Sequence, residues 1–126
     1  MMKKHLLFSF IAIAGLLLFA GCDKPTKNYP PVDANLLIGT WTATDQPTEH
    51  WRFDTQRSGE TWDTGEDVQE GEGTKFNWST ESDQLRIDLY GQMGQHVYYD
   101  WTVTHQTPDT LTFKDIYDLS RTFVKI

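Results

Sequence analysis

The chain has 126 residues, 18 acidic against 11 basic side chains, a net charge of −7 at neutral pH and a single cysteine. The negative balance opposes binding to phosphate backbones, which draws on clustered Lys and Arg to displace counterions, so nucleic acid is not an expected partner. One cysteine cannot close a disulfide within the chain or build a thiolate metal site, so the fold must hold by packing.

The N-terminus reads Met1-Met2-Lys3-Lys4, then an apolar run from Leu6 to Ala20, then Gly21 and the cysteine, Cys22. A charged start, an apolar middle and small residues at the end form the layout of a signal peptide. Fifteen residues from Leu6 to Ala20 at helical rise cover about 22 Å, short of the roughly 30 Å hydrocarbon core, so a permanent spanning helix fits less well. Only Ser9 interrupts the run, so it has no polar face for a core helix. Leu18-Phe19-Ala20-Gly21-Cys22 resembles the lipobox of bacterial lipoproteins, usually Leu-Ala-Gly-Cys, with Phe19 where an aliphatic residue is usual. The resemblance implies a signal peptide over 1–21, lipidation of Cys22, and a lipid-anchored place in the bacterial cell envelope with the membrane as a partner. More than one acyl chain is needed for stable anchoring, and the three usual in that family meet the need. Asp23 resembles the inner-membrane retention signal of some bacterial lipoproteins, a rule that does not extend to all lineages, so inner and outer membrane both stay open. Loss of Lys3 and Lys4 leaves 9 basic residues against 18 acidic ones, a mature net charge of −9, on enough chain for one small domain.

Residues 22–35 read as a tether, with Pro25, Pro30 and Pro31 favouring extended backbone that stands the domain off the membrane. Asp33-Ala34-Asn35-Leu36-Leu37 predicts one helical turn with Asp33 as its N-cap. From Ile38 onward short β-type runs are separated by Gly, Pro, Asp, Asn and Ser. Eight strands are predicted: 38–44, 50–54, 60–63, 74–80, 85–90, 96–105, 110–115 and 121–126. Leu85, Ile87 and Leu89 alternate with Arg86, Asp88 and Tyr90; Val97, Tyr99, Trp101 and Val103 alternate with Tyr98, Asp100, Thr102 and Thr104. Each strand then has one face in and one face out. The same rule places Trp41, Trp51, Phe53, Trp62, Phe76, Trp78, Leu111 and Phe113 inside. The last strand is ambiguous, because Phe123 shares a face with Arg121 and Lys125, and Val124 with Thr122 and Ile126. With no helix to carry a parallel crossover, neighbours pair as hairpins. The expected fold is all-β, a small eight-stranded antiparallel up-and-down barrel over 36–126, in which closure removes exposed edges.

Gly39-Thr40-Trp41 at the head of the first strand, followed by this meander, resembles the G-x-W signature of the lipocalins and wider calycins. The resemblance covers 36–126 and is closest to the short lipocalin-like domains of bacterial lipoproteins. It implies that Trp41 closes the barrel floor and that an arginine late in the last strand, here Arg121, stacks over it by a cation–π attraction of order 1 kcal/mol. The Thr-Asp-Tyr signature of larger lipocalins is missing, with Asp115-Ile116-Tyr117-Asp118 a faint echo, and no sequence encodes their flanking helix. No particular ligand and no cofactor transfers.

Trp41, Trp51, Phe53, Trp62, Phe76, Trp78, Tyr99, Trp101 and Phe113 are either core or the lining of a ligand pocket. An eight-stranded barrel is wide enough to be filled by side chains or to hold one small ligand, so both stay open. Asp63, Glu66, Asp67, Glu70 and Glu72 lie among Gly65, Gly71 and Gly73 at the loop 64–73, without the alternating Asp/Asn spacing of a calcium loop; it reads as a solvated, mobile segment. His50, His96 and His105 sit at strand ends without metal-ligand spacing. No G-x-S-x-G elbow or carboxylate pair marks a catalytic centre. The first expectation is a non-enzymatic, membrane-anchored barrel that binds a small apolar or aromatic ligand. The second is a solid barrel that contacts an envelope protein or glycan through Tyr90, His96 and Tyr98, its protein partner unknown, or a hydrolase inhibitor that presents the acidic loop.

Overall fold

The computed structural model describes residues 29–126, so the expected signal peptide, Cys22 and the first part of the expected tether lie outside the described residues. Eight strands follow in order: β1 (Gly39–Ala43), β2 (Glu49–Phe53), β3 (Ser58–Asp63), β4 (Thr74–Glu81), β5 (Gln84–Tyr90), β6 (His96–Gln106), β7 (Thr110–Lys114) and β8 (Ser120–Lys125). Each pairs antiparallel with the next and β8 returns to β1, closing the all-β up-and-down barrel that the alternation predicts. One short helix, α1 (Ala34–Leu37), precedes it, and the Asp33 carboxylate caps it by accepting from the Asn35 amide at 3.0 Å.

The hairpins alternate between two ends. The floor carries α1 and the turns after β2, β4 and β6; the mouth carries the connections 44–48, 64–73, 91–95 and 115–119. Leu37 is fully buried at the floor, and its carbonyl accepts from the Trp41 indole N–H at 2.8 Å. The expected spacer is docked over its described residues rather than standing free. The Val32 amide donates to the Ser82 carbonyl at 2.8 Å, and Asp33 and Gln106 exchange two hydrogen bonds of 2.9 and 2.8 Å.

Register decides which residues share the lumen. Trp41 opposes Trp51, Trp51 opposes Thr61, and Phe53 opposes Gly59, which opposes Phe76. Directly opposed residues in an antiparallel sheet lie on one face, so Gly59 and Thr61 point inward while Glu60 and Trp62 point outward. This corrects the expected inward place of Trp62. The ring is buried, but on the outer wall, stacked on His50 at 5.4 Å beneath the loop 64–73. Gly59 has no room for a Cβ, which would run into the Arg52 carbonyl oxygen and the Phe76 ring. The ambiguous last strand resolves with Phe123 inward and fully buried, opposite Ala43 and Leu111.

Candidate functional site

Trp41, Trp51, Phe53, Phe76, Trp78, Trp101 and Phe113 are buried in one core with Phe123, Leu85, Ile87 and Leu111. Their rings pack against one another through the barrel. Trp101 stacks on Phe113 at 4.1 Å, Phe113 meets Phe123 edge-on at 4.9 Å, Trp51 touches Trp101 at 5.2 Å and Phe76 at 5.3 Å, and Phe53 touches Trp78 at 5.6 Å. Such spacing is contact distance for aromatic pairs, so side chains fill the lumen as a core rather than line a pocket.

The two ends of this core differ. At the floor, Trp41 is covered by the Lys125 ammonium, 4.9 Å from the ring centroid, whose Nζ donates to the Leu36 carbonyl at 3.1 Å. The expected pairing of Trp41 with Arg121 is therefore corrected. Lys125 is the residue opposite Trp41 in the β1–β8 ladder, and Arg121 stands four residues further along β8, about 13 Å away at strand rise. Arg121 instead caps the mouth. Its guanidinium lies over Phe123 at 5.3 Å and donates to Glu49 at 2.8 and 3.0 Å and to Asp45 at 2.9 and 3.1 Å. The hydrogen bonds that it donates to Glu49 and then Asp45 hold the guanidinium protonated well beyond its ordinary range, and Arg121 in turn lowers the Asp45 carboxyl. Glu49 also accepts from the Trp51 indole N–H at 2.7 Å, which ties this ionic lid to the core.

Beside the lid the mouth is apolar and open. Tyr99 lies on the lumen face, opposite Ile87, but at the rim it is 39 % exposed and stacks on Trp101 at 6.0 Å. Ile116, Tyr117 and Leu119 on the β7–β8 turn are 74, 76 and 63 % exposed. The turn is held by its own hydrogen bonds: the Asp115 carboxylate accepts from the Tyr117 and Leu119 amides at 2.8 and 3.0 Å. A cleft of about 250 Å³ separates it from β6, lined by Tyr98, Tyr99, Trp101, Ile116 and Tyr117 with Asp100 and Asp115. On the outer wall, Tyr90, His96 and Tyr98 form a ladder, His96 meeting Tyr90 at 5.1 Å and Tyr98 at 6.2 Å. The ladder is fixed by polar contacts, His96 Nδ1 to Asp88 at 2.8 Å and Arg86 to both oxygens of Asp100 at 2.7 and 3.0 Å.

The acidic loop is largely solvent-exposed, as its composition suggests, but its end is tied to the wall. Glu60, fully buried on the outer wall, accepts from the Gly71 and Gly73 amides at 2.8 and 2.7 Å and from Lys75 at 3.0 Å. Arg52 holds Glu70 at 2.6 Å and Glu60 at 3.3 Å. Burial acts to raise the Glu60 carboxyl, but Lys75 and the two amides outweigh it and keep the group below its ordinary value. The loop is thereby pinned over Trp62.

Glu60, Lys125, Ile116 and Tyr117 were not expected as key positions. Glu60 had a signal, an acidic residue inside a short β run; Lys125 had one too, since it shares a face with Phe123. Compared with known protein families, curated proteins and solved structures, the chain matches none.

Proposed function

We propose that the chain is a bacterial envelope lipoprotein, held to the membrane by lipid on Cys22, whose lipocalin-like barrel works as a solid interaction module and binds at its mouth. One observation carries this reading. The lumen is occupied by contacting rings, while Tyr98, Tyr99, Ile116, Tyr117 and Leu119 stand exposed together at the end opposite the one where the chain enters. Exposed apolar residues grouped around a cleft mark interaction sites more often than isolated ones do. The proposed role is binding: Asp45 and Glu49 are tied to Arg121, Asp100 to Arg86, and Asp115 to the amides of its own turn.

A photo-crosslinking residue placed at Tyr117 or Tyr98 in the full-length protein in cells should give discrete adducts, and one at Gln56 on the floor turn none. Equal labelling at both ends, or none at the mouth, would overturn the reading. For the anchor, Cys22→Ser should move the protein from the membrane to the soluble fraction; retention in the membrane would remove that part of the proposal.

A second reading keeps a small apolar or aromatic ligand, seated in the mouth cleft instead of the lumen. Its volume of about 250 Å³ lies below the usual range of ligand sites, which begins at about 300 Å³, and leaves room for one ring system. Trp101 borders the cleft, so binding of an aromatic compound should shift tryptophan emission in the wild type and not in Ile116→Asp.

A further inference from the structure

The ring of strands is complete at the level of Thr102, which pairs with Lys114, but β6 begins earlier, at His96. From His96 to Trp101 it is paired on the β5 side, His96 with Tyr90 through Trp101 with Leu85, and among the described residues it has no strand partner on the β7 side. The β7–β8 turn does not supply one. Its own bonds close within it, the Asp115 amide donating to the Leu119 carbonyl at 3.1 Å and the Asp118 amide to the Asp115 carbonyl at 3.0 Å.

Successive residues of an antiparallel strand aim their backbone groups at alternate neighbours. The Gln95 carbonyl accepts from Gly91 and the Val103 amide donates to Asp83, so odd-numbered residues of this stretch face β5. His96, Tyr98 and Asp100 therefore aim both N–H and C=O along an edge without a backbone partner among the described residues, bordered from Tyr98 to Trp101 by the cleft to Ile116 and Tyr117. Natural edges are blunted by lysine, proline or a bulge. Gln95-His96-Val97-Tyr98-Tyr99-Asp100-Trp101 contains neither lysine nor proline, and the bulge of β6 falls later, between Val103 and His105.

We infer that this edge pairs with the same edge of a second copy, antiparallel about a two-fold axis through Tyr98. The inference rests on the mouth being a contact surface, and it names the partner. Self-complementarity is what selects a second copy over an unrelated strand. Turning the edge about Tyr98 sets His96 against the second copy's Asp100 and Val97 against the second copy's Tyr99, and each pairing occurs twice. Imidazole with carboxylate and β-branched with aromatic are favourable cross-strand classes. The polar groups are already oriented, His96 by Asp88 and Asp100 by Arg86, and Val97 and Tyr99, 42 and 39 % exposed, become covered. Such an interface is isologous, so it closes at two copies rather than growing into a fibre. The like net charge of the copies acts at long range and is screened beyond about 8 Å at physiological salt.

The test uses the full-length protein in mild detergent, with the unsubstituted chain, carrying Cys22 alone, as background. Under oxidation Tyr98→Cys should convert most of the chain to a disulfide-linked dimer, since a hydrogen-bonded pair on the axis sets Cα atoms about 5.5 Å apart, within disulfide reach. Val97→Cys mixed with Tyr99→Cys should give a mixed dimer, while either alone, offset by two residues from its own copy, should stay at background. Tyr98→Pro removes an outward amide without touching the β5 ladder and should give a monomer by light scattering with unchanged far-ultraviolet circular dichroism. A monomeric wild type without the Tyr98→Cys disulfide overturns the inference, and so do equal yields from all three cysteines, which would signal random collision. Photo-adducts from the mouth at masses other than twice that of the chain would sink self-pairing and leave the mouth as a contact surface. Absence of any adduct would sink both.

Discussion

The floor and the mouth of this barrel are closed by one strand, β8, in opposite ways. Three alternate residues of β8 point inward: Lys125 at the floor, Phe123 in the middle and Arg121 at the mouth. At the floor the cation lies on Trp41 beneath α1, and the apolar surface around it is buried. At the mouth the cation is held by two carboxylates, and the aromatic residues beside it are left in solvent. The contrast separates stability from availability. Rings below the lid hold the fold, and rings above it contribute little to folding and are free to meet something else.

Trp41→Ala is the largest expected blow to this division. It empties the floor and removes the partner of both Lys125 and the Leu37 carbonyl, and should cost about 3–5 kcal/mol in urea unfolding. A loss below about 1 kcal/mol would show that the floor is not where stability resides. Glu60→Gln comes next, at about 1–3 kcal/mol, because Lys75 and Arg52 lose their buried counter-charge. Its effect depends on pH with a definite sign. The native carboxyl is held below its ordinary 4.5, so the contribution of Glu60 is complete above pH 4.5 and fades as the pH falls further through the native value. Chemical denaturation of wild type and variant along that range should therefore converge on the acid side.

Lys125→Ala and Arg121→Ala should each cost about 1 kcal/mol, and salt tells them apart. The Arg121 effect, made of ion pairs, should shrink in about 1 M salt, while the Lys125 effect, made of contact with Trp41, should persist. Tyr117→Ala should be smallest, within about 0.5 kcal/mol by thermal melting, and should show itself only in loss of adducts at the mouth. A large destabilisation by Tyr117→Ala would erase the distinction between the two ends.

The order of strands was legible because the apolar period of two is unbroken in β4 to β6 and because turn residues stand between the runs. The helical turn and its Asp33 cap were legible on the same local grounds. Trp62 was not, for a tertiary reason. The loop 64–73 folds back on the outer wall and buries a second side of β3, so an aromatic ring no longer signals the lumen there. Arg121 was misplaced because a motif gives a residue type and not its height along a strand; the ladder, with Trp41 opposite Lys125, gives the height. The mouth was half legible. Tyr90, His96 and Tyr98 stand out as outward aromatics on a regular strand, whereas Ile116 and Tyr117 lie in a turn with no period to read.

The docked segment 29–33 also has a mechanical consequence. A pull on a lipid at Cys22 would enter the barrel through Val32 and Asp33 and load the hydrogen bonds to Ser82 and Gln106 before any strand pair of the wall. Those bonds hold the chain to the turn after β4 and to the far end of β6, so under the proposed lipid anchor they would act as a strain relief. Tension from a moving membrane would be absorbed at the floor, and the shape of the mouth would be kept.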